Sequence, residues 1–180
     1  MRAPVHTYCL HALVLLVGVA LLSAPAQAQS TRPAFRSVAW GMPLSAVQSA
    51  EPGTRLTPGP DPAPGLDHME AYVDVVHGKT GEVAYGFSDG RLVHGAYRFT
   101  LKKRDRPFSE AMGGRLRSRY GETERIEVSD DGRVLRLHWS TPHTKVIARF
   151  APNSLRIDFW AKNHWRRHVR RSAPADDSDG

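Results

Sequence analysis

Seven short segments alternate apolar with polar or charged side chains, and this alternation limits the fold more than any other feature of the sequence. In one of them, Leu155, Ile157 and Phe159 stand at every second position. Because successive side chains of a β-strand point to opposite faces of a sheet, a period of two predicts half-buried strands. We expect strands at residues 71–76, 83–87, 93–101, 124–128, 134–139, 145–150 and 155–160.

Residues that favour tight turns separate most of these segments. We expect turns at residues 79–81, 88–90, 130–132 and 152–154, where Gly, Asp, Asn, Pro and Ser recur. Consecutive strands that are joined by tight turns pair in antiparallel fashion. The predicted sheet is therefore antiparallel.

One helix is predicted before each of the two groups of strands. The first spans residues 41–50 and ends before Pro52, which cannot donate the next helical hydrogen bond. The second spans residues 107–120, with an apolar stripe of Phe108, Met112, Leu116 and Tyr120. This order predicts an α+β domain with an antiparallel sheet of about seven strands, built from two helix-plus-meander units with the helices on one face.

The first 28 residues have the three-part organisation of a secretory signal peptide. Arg2 supplies a positive charge, residues 10–22 are mostly apolar, and small residues stand at Ala26 and Ala28. The apolar run is shorter than the roughly 20 residues that a helix needs to cross a bilayer. We therefore expect an exported protein, periplasmic or secreted, with no transmembrane segment in its mature form.

The remaining chain is expected to hold one domain. A single α+β domain is predicted over residues 29–161, with a proline-rich loop at 51–67. A basic and then acidic tail, expected to be flexible, follows at 162–180. Because Cys9 is the only cysteine and lies in the signal peptide, the mature chain can form no disulfide.

Short motifs around the helices resemble those of known exported proteins. Gly41-Met42-Pro43 opens the first helix, with Val47 five residues after Met42, and Gly121 follows Tyr120 at the end of the second. With the order of the elements, these residues resemble envelope proteins of the SmpA/OmlA type and, in doubled form, the β-lactamase inhibitory proteins. The chain lacks the acylated cysteine of the former and has one helix per unit where two are usual. The resemblance implies a binding or scaffolding module and not an enzyme.

One catalytic motif occurs in the sequence. Residues 86–90 match the G-x-S-x-G pattern, which in hydrolases places the serine on a strand-to-helix turn. Here strands are expected on both sides, so Ser88 is interpreted as a turn residue. A serine hydrolase is kept as the least favoured function, and no catalytic residue is assigned.

No metal or cofactor site is predicted. His164 and His168 have the i,i+4 spacing of helical metal ligands, but four arginines surround them and would repel a divalent cation. A basic segment with Trp165 and Val169 on one side, if helical, is also typical of an interfacial helix. A solvated, disordered tail is the alternative.

The sheet face opposite the core is expected to be basic. The chain has 25 Lys and Arg against 18 Asp and Glu. The strand alternation places a set of cations and one aromatic residue together on this outer face: His94, Arg98, Arg136, His138, Lys145, Arg149, Arg156 and Trp160. Outside the cytoplasm such a face meets anionic lipid or polymer more often than nucleic acid.

These observations predict an exported, non-catalytic binding module. Its basic sheet face would contact an anionic envelope component or a protein partner. The alternative is an envelope structural or assembly accessory protein, in which the sheet packs onto another protein and the charges tune solubility. Antiparallel sheets also commonly have one solvated face without a ligand.

Overall fold

The computed structural model describes residues 34–51, 57–58, 61–102 and 105–172. The predicted signal peptide and the acidic end of the predicted tail lie outside these residues. No helix within the described ranges is long and apolar enough to cross a membrane.

The fold is one antiparallel sheet with three helices, so the predicted α+β class is confirmed. The strands are β1 (Thr57–Pro58), β2 (His68–Val76), β3 (Lys79–Ser88), β4 (Arg91–Thr100), β5 (Arg125–Val128), β6 (Leu135–Ser140), β7 (Thr144–Ala151) and β8 (Ser154–Ala161). The helices are α1 (Leu44–Ala50), α2 (Arg106–Tyr120) and α3 (Lys162–Ser172). The strand order is β1-β2-β3-β4-β8-β7-β6-β5, which places the last strand beside β4 in the middle. The division into two helix-plus-meander units stays a prediction.

The inner face of the sheet forms the main core under α1 and α2. The predicted alternation holds in β3, in β4 from Gly95 onward and in β6 to β8, because Tyr85, Phe99, Trp139 and Ile157 are all buried on this side. Val93, which the period of the strand places on the core face, instead lies in the outer cluster with Trp160, because the pairing of β3 with β4 shifts register at this point. Phe108 of α2 meets Phe99 edge to face, with ring centroids 5.0 Å apart. Each such buried side chain contributes about 1.5–3 kcal/mol to folding. The core therefore fixes which face each strand residue occupies.

One predicted turn is misplaced by two residues. The residues at 79–81 belong to β3, and the turn is instead His77-Gly78, since Val76 pairs directly with Lys79. Both turn residues have positive φ, 51° and 80°, as a two-residue hairpin with the twist of the strands requires. His-Gly is not among the dipeptides that mark a two-residue hairpin turn most clearly, which are Asn-Gly, Asp-Gly and Gly-Gly, so the pattern did not predict the turn here.

The described part of the predicted tail is a helix. Residues 162–172 form α3, which packs on the outer face, opposite α2. The ring of Trp160 contacts Trp165 at a centroid distance of 5.9 Å and stacks on His168 at 4.6 Å. His168 Nδ1 also lies 2.7 Å from the carbonyl oxygen of Pro64. These tertiary contacts order a segment whose composition alone suggested flexibility.

Candidate functional site

Four arginines stand side by side across the outer face of the sheet. The pairing of β4, β8, β7 and β6 places Arg98, Arg156, Arg149 and Arg136 directly opposite one another. Since neighbouring strands are about 4.8 Å apart, this arginine row spans about 14 Å. Glu82 on β3 and Glu127 on β5 stand at its two ends.

Close ion pairs hold two of these four arginines. Arg98 Nη1 lies 2.5 Å from Glu82 Oε1. Arg156 Nε lies 2.8 Å from Asp158 Oδ2, and Arg156 Nη2 lies 2.8 Å from Asp158 Oδ1. Like charges on adjacent strands are destabilising, so these carboxylates make the arrangement tolerable.

Two members of the row differ from this firmly paired state. Arg136 Nη1 is 3.5 Å from Glu127 Oε2, and the side chain is 44% exposed. Glu127 also contacts Arg125 at 3.0 Å and His138 at 3.5 Å, so its charge is shared. Arg149 is exposed and forms no ion pair with any other residue that the structure describes. The centre of the row therefore carries unneutralised positive charge.

The other predicted cations of the face are largely covered. Lys145 Nζ lies 2.7 Å from Glu124 Oε2, and this hydrogen bond lowers the pKa of Glu124. The His138 side chain is 11% exposed, and burial lowers its pKa. His138 is therefore neutral at pH 7 and adds no charge to the row.

His94 and Trp160 do not lie on an open surface, contrary to the sequence-based expectation. Trp160 is covered by α3, and His94 is fully buried against its ring, with the centroids 4.3 Å apart. Burial lowers the pKa of His94, whose Nε2 lies 2.9 Å from Asp158 Oδ1. Burial opposes ionisation of Asp158, but hydrogen bonds from His94 and Arg156 hold its pKa below the usual value. His94 and Trp160 therefore belong to the interior and not to an exposed binding surface.

Two exposed valines, which the sequence analysis did not single out, extend the outer face beyond the row. Val73 pairs with Glu82 and is 72% exposed, and Val75 on the same side of β2 is 63% exposed. Tyr72 and Val76 of this strand point into the core instead. Because β2 has apolar residues on both sides, the alternation could not show which side faces solvent.

Ser88 is the last residue of β3 and stands before the Asp89-Gly90 hairpin turn. It shares a cleft of about 120 Å³ with Asp67, Asp89, His164 and His168. His164 lies 3.0 Å from a guanidinium nitrogen of Arg167, and His168 contacts a carbonyl oxygen. Among the described residues, no hydrogen bond joins Ser88 to either histidine. The residue types of a catalytic triad meet here without the hydrogen-bonded chain that activates a serine.

Within the described ranges, no group of three or more His, Cys, Asp or Glu side chains could hold a metal ion. The exposed arginine row is thus the feature of the outer face that best fits a binding site. Comparisons of the chain with models of protein families, with curated proteins and with solved structures find no match.

Proposed function

We propose that this protein is an exported, non-catalytic binding module, which contacts an anionic envelope component or a protein partner through the arginine row. One observation carries the proposal: Arg149 is exposed and unpaired among the described residues, with Arg136 and Arg156 on its neighbouring strands. Export follows from the predicted signal peptide at residues 1–28.

The ion pairs around the row are weak enough for an anionic ligand to replace the carboxylates that now contact the arginines. A solvent-exposed ion pair contributes about 0–1 kcal/mol, so an anionic ligand can replace Glu127 beside Arg136 at little cost. Each cation near an anionic membrane surface contributes about 1 kcal/mol. A ligand with several negative groups along about 14 Å would engage the row as a unit.

The test is binding of the protein to anionic and to zwitterionic vesicles at low and at physiological salt. Arg149→Glu changes the charge by two at the centre of the row and is expected to weaken binding to anionic vesicles about tenfold or more. Arg98 is a poorer choice, because its Nε is buried and its Nη1 pairs with Glu82.

Arg117→Glu is the matched control. Arg117 is exposed on α2, which covers the opposite face, and its substitution makes the same change in net charge. Equal losses in both variants would show that net charge and not the row drives binding. Absence of binding at low salt would refute the proposal.

A second candidate is an envelope accessory protein that docks onto another protein through the same face. Val73 and Val75 favour it, since two exposed valines beside the row would be buried by a protein partner. In cross-linking from envelope extract, Val73→Ser/Val75→Ser would then abolish the adduct while Arg149→Glu would retain it.

A serine hydrolase is the third candidate and depends on Ser88. Labelling by a fluorophosphonate that disappears in Ser88→Ala would support it. Absence of labelling in the wild-type protein would remove it.

A further inference from the structure

A second cationic site lies at the end of the sheet where β4 begins and β8 ends. A cavity of about 340 Å³ opens there between residues 40–41, the start of β4, the turn between β6 and β7, and the start of α3. Its volume lies within the range of about 300–1,000 Å³ for small-molecule sites. The polar side chains that line it are Arg91, His143, Lys162, Asn163, His164 and Arg167, and none of the described lining residues is Asp or Glu.

Within the part of the chain that the structure describes, the three permanent cations of this cavity hydrogen-bond to neutral acceptors. Arg91 Nη1 donates to the carbonyl oxygen of Gly41 at 3.3 Å, and Lys162 Nζ donates to that of Thr141 at 3.0 Å. Arg167 Nη2 lies 3.0 Å from the ring nitrogen Nε2 of His164. None of the three forms an ion pair with a residue that the structure describes. Three positive charges therefore converge on one cavity without a counter-ion from its lining.

Carboxylates influence this cavity only from outside its lining. Glu124 interacts electrostatically with Lys162, but its Oε2 lies 2.7 Å from Lys145 Nζ and forms an ion pair with that residue. Asp89 acts on His164 from the hairpin turn, but burial and the charge of Arg167 lower the pKa of that histidine. His164 is therefore neutral at pH 7, and the positive charge comes from the three permanent cations.

Hydrogen bonds between distant segments hold the walls in place. Lys162 N donates to the carbonyl oxygen of His143 at 2.9 Å, which fixes the start of α3 against the turn after β6. Trp40 Nε1 donates to Thr144 Oγ1 at 2.9 Å, so the indole is anchored at the cavity. A site that is ordered before binding loses less conformational entropy when a ligand enters.

We propose that this cavity binds a phosphate monoester, with the phosphate among Arg91, Lys162 and Arg167 and the organic group against Trp40. A phosphate monoester carries a charge of about −1.5 to −2 at pH 7, which suits three permanent cations. Guanidinium groups donate paired hydrogen bonds to phosphate oxygens, and an indole face accommodates the apolar part of a ligand.

This site is separate from the arginine row. Trp160 at the cavity end of β8 and Arg156 in the row are four residues apart, which is about 13 Å along a strand. The two sites can therefore be tested independently.

The test is a titration of the full chain with glycerol phosphate, followed by NMR of the tryptophan indole signals. The signal of Trp40, assigned with Trp40→Phe, is expected to shift and saturate. The signal of Trp139, whose Nε1 donates to the carbonyl oxygen of Gly121 in the core, is expected to stay unchanged. Glycerol is the neutral control and is expected to give no shift.

Variants assign the binding to named residues. Arg91→Gln/Arg167→Gln is expected to raise the dissociation constant at least tenfold. Arg117→Gln/Arg133→Gln, which removes the same two charges from exposed positions outside the cavity and the arginine row, is the matched control and is expected to leave it unchanged. Both cavity arginines are exposed, so we expect these substitutions to leave the fold intact. Thermal unfolding of each variant tests this expectation.

Vesicles distinguish a free metabolite from a lipid headgroup. Vesicles with phosphatidate present a phosphate monoester, whereas those with phosphatidylglycerol present a diester. If the protein prefers phosphatidate vesicles and loses this preference in Arg91→Gln/Arg167→Gln, the phosphate monoester is a lipid headgroup. If it binds glycerol phosphate but not phosphatidate vesicles, the ligand is a soluble metabolite. The proposal is overturned if neither binds, or if Arg117→Gln/Arg133→Gln weakens binding as much as the cavity variant does.

Discussion

Asp158 connects the buried and the exposed parts of the outer face, and its replacement by asparagine gives the sharpest stability prediction. Its carboxylate accepts hydrogen bonds from Arg156 at 2.8 Å and from His94 at 2.9 Å. A hydrogen bond that involves a charged group contributes about 1.5–3 kcal/mol. The side chain of Arg156 is 40% exposed and can regain water, which reduces its share toward that of a surface pair.

In Asp158→Asn, the amide oxygen can still accept from His94, but the amide nitrogen faces the guanidinium of Arg156. We therefore expect a loss of about 2 kcal/mol, below the 3–5 kcal/mol for a fully buried pair. For a domain of this size, 1 kcal/mol corresponds to about 2–4 °C in the unfolding midpoint. The expected change in Tm is thus a decrease of about 4–8 °C.

Urea and thermal unfolding at pH 7 measure this loss. Glu110→Gln is the control, because Glu110 pairs with Arg106 on the surface of α2 and both side chains are mostly exposed. That variant is expected to lose no more than about 0.5 kcal/mol. If Asp158→Asn destabilises the protein no more than Glu110→Gln does, then Asp158 does not stabilise the fold by connecting buried His94 with exposed Arg156.

Three further predictions concern the core, the last helix and the effect of pH. Gly95→Ala would place a Cβ atom 2.4 Å from the buried ring of Phe35, and we expect a loss of about 1–3 kcal/mol in urea unfolding. Trp165→Ala removes the contact with Trp160, so amide exchange in α3 should accelerate while that of the central strands is unchanged. His94 has a pKa below its usual value of 6.5 because it is buried, so acid protonates the unfolded chain first. The stability that neutral His94 contributes is therefore complete above pH 6.5 and falls by up to about 1.4 kcal/mol per pH unit as the pH drops toward the pKa of the folded state, a dependence that His94→Gln should reduce.

The strands could be predicted from the sequence because their pattern is local. A residue such as Ile157 or Phe99 repeats the apolar period of its own strand, and burial on one face enforces that period. The buried side of β2 could not be predicted in this way, because Val73 and Val75 are as apolar as Val76 but face solvent. Their exposure depends on which neighbouring elements cover each side, and no local pattern records that.

The candidate sites depend on contacts between segments that are far apart in the chain. The alternation placed Arg98 and Arg156 on one face, but only the pairing of β4 with β8 makes them direct neighbours. The same pairing brings Arg91 close to Lys162, at the cavity that the sequence analysis did not find. Burial of Trp160 under α3 likewise required a tertiary contact between aromatic rings.

The position of β8 between β4 and β7 has a consequence for how the protein acquires its charge pattern. Three of the four arginines of the row reside in the C-terminal meander, and the fourth joins them only when β4 and β8 close a long intervening stretch of chain. Closing such distant contacts is slow relative to forming local hairpins. A nascent or partly unfolded molecule therefore has no continuous array of four guanidinium groups, and the anion recognition proposed for this face would require the completed sheet.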